Sequence, residues 1–191
     1  HLFSLSSDVA HFNYQDFSQD DHSNIRLAPS YRFKLAENQT FYLRGDYQSR
    51  YELRGTGLSL GQGQSLRVGD DKRYGSINAG FLYGKQDSVA KLSLDLGQQK
   101  NRYQTRRNVT KVLDHQTRFA ELAFDYLLSD YSYLATKLVF QDVSFDLNPI
   151  QDKTRLIGLV GFKWQTTTAT RLSALIGYQR VDFEQNQFND D

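Results

Sequence analysis

Glu121 and Asp125 stand four residues apart in a stretch where every second residue is apolar. On an extended strand that spacing puts both carboxylates on one face. Paired carboxylates can do general acid and base work, as in a glycosidase. Other groups could also carry chemistry. His1, His11, His22 and His115 are possible ligands, yet none has the paired spacing of a zinc site. The pairs Asp20/Asp21, Asp70/Asp71 and Asp190/Asp191 could attract Ca2+, but they lack the regular ligand spacing of a calcium loop. Gly55, Gly57, Gly61 and Gly63 resemble a phosphate cradle only superficially, because no Lys-Ser/Thr follows and no helix signal is present. Cysteine is absent, which excludes disulfides, thiolate metal sites and cysteine nucleophiles. The expectation is a non-enzymatic protein with no metal or cofactor. Glu121 and Asp125 are read as lining of a wet surface.

The elements that would position these residues have a period of two. In Ile25 to Leu35 the odd positions are Ile25, Leu27, Pro29, Tyr31, Phe33 and Leu35, and the even ones are Arg26, Ala28, Ser30, Arg32 and Lys34. The next stretch sets Phe41, Leu43, Gly45 and Tyr47 against Arg44, Asp46, Gln48, Arg50 and Glu52. Alternation separates the two sets onto opposite faces of a strand. One face is greasy and the other charged, as in a transmembrane β-barrel strand with lipid outside and a polar lumen inside.

The pattern predicts about nine strands: Leu2–Tyr14, Ile25–Leu35, Phe41–Leu53, Tyr74–Tyr83, Val89–Gln99, Arg118–Leu128, Tyr133–Ser144, Arg155–Trp164 and Arg171–Phe183. Most approach the ~9–11 residues that cross a bilayer at a tilt. Short connections at Ala36–Gln39, Gly84–Asp87, Ser129–Tyr131 and Gln165–Thr168 alternate with long polar ones. Outer-membrane barrels show this asymmetry of short periplasmic turns and long outer loops. The expected fold is therefore an all-β, antiparallel, up-and-down transmembrane barrel region, with residues 1–191 forming a single domain. Formal net charge is +1, too balanced for a nucleic-acid partner.

Parity assigns the lumen. Its expected lining is Arg26, Arg32, Arg44, Asp46, Gln48, Arg50, Glu52, Lys91, Asp95, Glu121, Asp125, Lys137, Gln141, Arg171 and Gln179. Val139, Ile157 and Leu159 would face inward too, which makes the seventh and eighth strands less regular. Phe33, Phe41, Tyr83, Tyr126, Tyr133, Phe162 and Trp164 cluster toward the short turns and are expected to form an aromatic girdle at the membrane interface. Charge also chooses a register for the second and third strands. Setting Arg26 opposite Arg50 would also set Arg32 opposite Arg44, and like charges directly opposite destabilise a pair. The expected partners are Arg26 with Gln48, Ser30 with Arg44, and Lys34 with Thr40.

Nine is an odd count, whereas bacterial single-chain barrels use even numbers. An open sheet edge cannot sit in lipid with its N–H and C=O groups unsatisfied. Either the first strand is not a wall strand, leaving eight, or the chain is part of a larger barrel; the second is the expectation. Arg106, Arg107 and Lys111 in the third long loop could meet anionic lipopolysaccharide or capsule, but a solvated loop is the preferred reading.

The run from Tyr31 through Tyr51, followed by Arg54-Gly-Thr-Gly-Leu-Ser, resembles the β-barrel porin 2 family, outer-membrane proteins of exopolysaccharide operons of the EpsL type. The later hairpin Leu159 to Tyr178 shares the likeness. The resemblance covers most of the chain through loose strand-turn-strand patterns. It implies longer proteins with barrels of some 16–18 strands, wide enough for an aqueous channel. It further implies the outer membrane of a Gram-negative bacterium and export of an extracellular polysaccharide. The partners would be outer-membrane lipid and lipopolysaccharide, the polysaccharide itself and periplasmic export components. A general solute porin, or a small closed barrel serving as an anchor or surface-binding protein, are the alternatives.

Overall fold

In a computed structural model, residues 1–16, 18–53, 69–85, 88–165 and 170–184 are described, apart from the side chains of Gln19, Gln165 and Arg171. They form nine strands: β1 Leu2–Phe12, β2 His22–Ala36, β3 Gln39–Glu52, β4 Asp70–Tyr83, β5 Ala90–Tyr103, β6 His115–Ser129, β7 Ser132–Phe145, β8 Lys153–Gln165 and β9 Arg171–Phe183. All pair antiparallel, each with its neighbours in sequence, in the order β1 to β9. A short helix, α1, spans Arg107–Thr110 between β5 and β6. Among the described residues, no helix is long and apolar enough to cross a membrane.

The β2–β3 register is the one that charge avoidance demands: Arg26 faces Gln48, Ser30 faces Arg44, and Lys34 faces Thr40. β1 is a full wall strand, paired with β2 from Leu2 against Arg32 to Phe12 against His22. The alternative of eight wall strands is thereby corrected. β1 and β9 occupy the two ends of the strand order, so the sheet is open rather than a small closed barrel.

Several strands run further toward the long loops than the alternation indicated, whereas β1 ends at Phe12 rather than Tyr14 and β3 at Glu52 rather than Leu53. β4 begins at Asp70 rather than Tyr74, β5 continues to Tyr103 rather than Gln99, and β6 begins at His115 rather than Arg118. The backbone ladder persists there while the outward face turns polar. On β5 the outward series Leu92, Leu94 and Leu96 gives way to Gln98, Lys100 and Arg102. Once a strand leaves the apolar band both faces are free to be polar, so alternation ends before pairing does.

The two faces differ in packing. Tyr42, Tyr103, Tyr133, Ala135, Val139, Asp70 and Thr117 are buried, and all share one face by register. Leu43, Ile77, Leu94, Leu122, Phe124, Leu138, Phe140 and Val160 lie on the other face and are exposed. Bonds on the first face also reach past an intervening strand, as from Tyr42 on β3 to Asp95 on β5 and from Lys163 on β8 to Asp125 on β6. Second-neighbour strands are about 9–10 Å apart. Side chains span that distance readily where the sheet curves toward them, which makes this the concave face.

Candidate functional site

The concave face collects the predicted lumen residues. Arg26, Arg32, Arg44, Asp46, Gln48, Arg50, Glu52, Lys91, Asp95, Glu121, Asp125, Lys137, Gln141 and Gln179 all lie on it by register. The side chain of Arg171 lies outside the described residues. Val139, Ile157 and Leu159 point to the same face and interrupt its polarity on β7 and β8.

A groove of about 790 Å³ runs over the β2–β5 part of this wall. Arg26, Arg44, Arg50 and Lys72 line it, opposed by Asp46 and Glu52. Asp46 accepts from Arg26 at 2.6 Å and from Gln48 at 2.7 Å. Glu52 lies 3.8 Å from Lys72 and accepts from the Tyr103 hydroxyl at 3.1 Å. Further round, Glu121 meets Lys137 at 2.6 Å and Asp125 meets Lys163 at 2.8 Å. Glu121 and Asp125 are thus each held by a lysine of their own.

Asp95 and Glu121 sit directly opposite each other on β5 and β6. Such like-charge neighbours destabilise a sheet unless they are compensated. Here the Tyr42 hydroxyl and the Asn78 amide donate to Asp95, while Lys137 neutralises Glu121. Tyr42 reaches Asp95 because Gly80 lies between them in one row, with Tyr42 opposite Gly80 and Gly80 opposite Asp95. A Cβ at Gly80 would fall inside the tyrosine ring. Gly97 admits Phe119 in the same way, with Asn78 and Phe119 flanking it.

The aromatic expectation needs one correction. Phe33, Phe41, Tyr83, Tyr126, Phe162 and Trp164 lie on the convex face near the short turns, with Phe162 and Trp164 rings 5.7 Å apart. Tyr133 is on the concave face, opposite Lys163, buried, with the Lys91 ammonium 4.1 Å from its ring centre. The parity of Lys137 and Gln141 on the same strand already places it there. Parity carried through the register would likewise have added Lys34, Tyr42, Lys72, Asn78, Arg155 and Lys163 to the polar wall.

Two of the three loop cations, Arg106 and Arg107, are held by carboxylates, while Lys111 is exposed. Arg106 donates through Nε to Asp70 at 2.8 Å, and Asp70 is only 2% exposed. Thr105 donates to the same carboxylate at 2.9 Å. Arg107 meets the buried Asp114 at 2.6 Å, and Asp114 also accepts from the Tyr103 backbone N–H. The bond to Asp70 holds the Arg106 guanidinium above its ordinary pKa. These pairs tie the β5–β6 loop onto the end of the sheet. Asp70, of the Asp70/Asp71 pair, is a strand residue in an ion pair. Among the described residues no three His, Asp or Glu side chains gather as a metal site. Gly55, Gly57, Gly61, Gly63, Asp190 and Asp191 lie outside the described residues.

A nine-strand antiparallel meander with an apolar convex face and a charged concave face has the architecture of a porin-like outer-membrane β-barrel. The match to a solved structure agrees: the chain is similar to the outer-membrane expressed OmpT of Vibrio cholerae, with a TM-score of 0.61 at 12% sequence identity. That similarity covers 92% of this chain and 51% of the other, so the chain spans about half the length of that protein. No protein-family model matches the chain, and no curated protein matches it. The likeness to porins is therefore one of fold, without a family assignment.

Proposed function

We propose that this chain is part of the wall of a water-filled outer-membrane pore that exports an extracellular polysaccharide. The observation that carries the pore reading is the concave face, an open groove with charged and amide groups around it, set in a sheet that has not closed after nine strands. Open edges cannot remain unpaired in lipid. Further strands must complete the circumference, and a barrel of that size holds an aqueous channel. The polysaccharide assignment rests on the resemblance of the Tyr31–Tyr51 stretch to exopolysaccharide-operon porins. Ion pairs between neighbouring strands give a hydrated polymer many weak contacts, and passage through a pore requires binding weak enough to release.

The convex face supports placement in the outer membrane. Its apolar band ends at the long-loop side in outward-facing Arg73 and Arg118, and in Lys100 and Arg102, which also meet Asp146 at 3.9 and 3.7 Å. Cations at that height would meet the phosphates of lipopolysaccharide, a role the loop residues Arg106 and Arg107 do not fit.

The test is the mass and single-channel conductance of the native, detergent-extracted protein. A protein about twice this chain's mass with a large steady conductance supports the pore. A mass matching these residues and no current would replace it with an anchoring or surface-binding role. Deleting the gene separates the export reading from a general solute porin: loss of matrix polysaccharide supports export, and loss of small-solute uptake alone supports the porin.

A further inference from the structure

We infer that the concave wall of β2 and β3 is a binding strip for the carboxylates of an acidic polysaccharide. This deepens the pore reading and rests on it. Most carboxylates of the wall are already engaged. Asp46, Glu52, Asp70, Asp95, Glu121 and Asp125 each have a hydrogen-bonding or ionic partner within the protein. Among the described residues, Arg32, Lys34, Arg44 and Arg50 meet no carboxylate in an ion pair. The charges that remain on β2 and β3 are positive, and Asp8 on β1, opposite Arg26, adds one carboxylate beside them.

The placement of these cations goes against the stability of the sheet. Arg50 is directly opposite Lys72 on β4. Arg32 faces Tyr42 while Arg44 faces Ser30, which makes the two arginines diagonal neighbours across β2 and β3. Directly opposed like charges destabilise a strand pair, and diagonal neighbours remain within reach of long side chains. A polyanion lying along the wall relieves this repulsion.

The chemistry fits a carboxylate. The Arg44 guanidinium lies over the Tyr42 ring, 4.2 Å from its centre. Stacking on a ring holds the guanidinium plane and leaves its edge N–H donors open for the two oxygens of a carboxylate. Tyr42 is itself fixed by Asp95 across Gly80, so the platform is braced from two strands away. Ser30, Ser76 and Asn78 line the same groove and can bond sugar hydroxyls. Unlike phosphate-binding sites built on backbone N–H groups, this wall offers side-chain cations spaced along a strand, suited to charges repeated along a chain.

The test measures binding of an oligogalacturonate and of a neutral oligodextran of equal length to the full native protein in detergent by calorimetry, and block of its current in planar bilayers. The expected result is binding of the oligogalacturonate with little of the neutral chain, weakened about tenfold in the Arg44→Gln/Arg50→Gln double variant, as loss of charge-assisted hydrogen bonds implies. Lys85→Gln, in a turn outside the wall, should leave binding unchanged. Equal binding of both sugars, or oligogalacturonate binding unaffected by the double variant, overturns the inference. Calorimetry does not require conduction, so loss of the pore reading and loss of this strip are separately visible.

Discussion

Tyr42 on β3 crosses Gly80 on β4 and donates its hydroxyl to Asp95 on β5. Three strands are joined in one row by a side chain that needs its middle neighbour to have none. Tyr42 is 4% exposed, so its hydrogen bond is made largely out of water. Tyr42→Phe should cost about 1.5–3 kcal/mol through the lost bond to a charged acceptor. Gly80→Val should cost about as much or more by displacing the ring, since overpacking typically costs about 1–3 kcal/mol. Urea unfolding of the native protein in detergent, followed by tryptophan fluorescence, would measure both. Wild-type stability in Gly80→Val would show that the ring does not need that space.

The face assignment makes a prediction about adjacent residues. Leu122 lies on the convex face at the middle of β6, opposite Leu94, while Ala123 points to the concave face. Leu122→Arg should cost about 2–4 kcal/mol of stability if that position meets the bilayer midplane. Ala123→Arg should cost much less, because its guanidinium would reach lumen water. Folding yield into lipid vesicles, read by heat-modifiable gel mobility, distinguishes the two. Equal yields would remove the lipid-facing assignment.

Glu121 depends on Lys137 because Asp95 is its cross-strand neighbour. Lys137→Gln should destabilise the sheet, and adding Glu121→Gln should restore most of the loss. Both side chains of the pair are about one-third exposed, so the coupling should be modest, about 0.5–1 kcal/mol in a double-mutant cycle. Additive effects within error would show that the pair contributes nothing beyond its separate residues.

The Asp70–Arg106 pair should govern the β5–β6 loop. Removing Arg106 leaves Asp70 buried beside Thr105 without its cation. Arg106→Gln should therefore speed limited proteolysis between Tyr103 and His115 while leaving the barrel folded. The pKa of Arg106 is raised in the folded protein. Its stabilisation is accordingly complete below the ordinary arginine pKa and is lost only as pH rises through the raised value. Protection of this loop should show no loss from arginine deprotonation between pH 6 and 9, and a loop that opened in that window through Arg106 would contradict the assignment.

Much of this was legible in the residues because a strand reveals its faces locally. The Arg26–Gln48 register follows from a short turn and the avoidance of two arginine pairs, both features of neighbouring sequence. The reach of Tyr42 to Asp95, or of Lys163 to Asp125, was not legible, because it depends on curvature that a one-dimensional pattern does not encode. Tyr133 was misplaced for another reason: its aromatic type suggested an interface, while its parity with Lys137 indicated the lumen. The long-loop ends of β4, β5 and β6 extend past the alternation because alternation tracks the apolar band and not the hydrogen-bonded ladder. The loop cations could not be assigned from sequence, since their partners Asp70 and Asp114 become buried only once β4 and β6 extend to meet them.

Among the described residues, strands pair only with their neighbours in sequence. A hairpin can therefore be duplicated or lost without rewiring any other pairing, and the circumference can grow or shrink two strands at a time. The girth of such a fold therefore changes by whole hairpins, and the charge pattern of each wall segment travels with its hairpin.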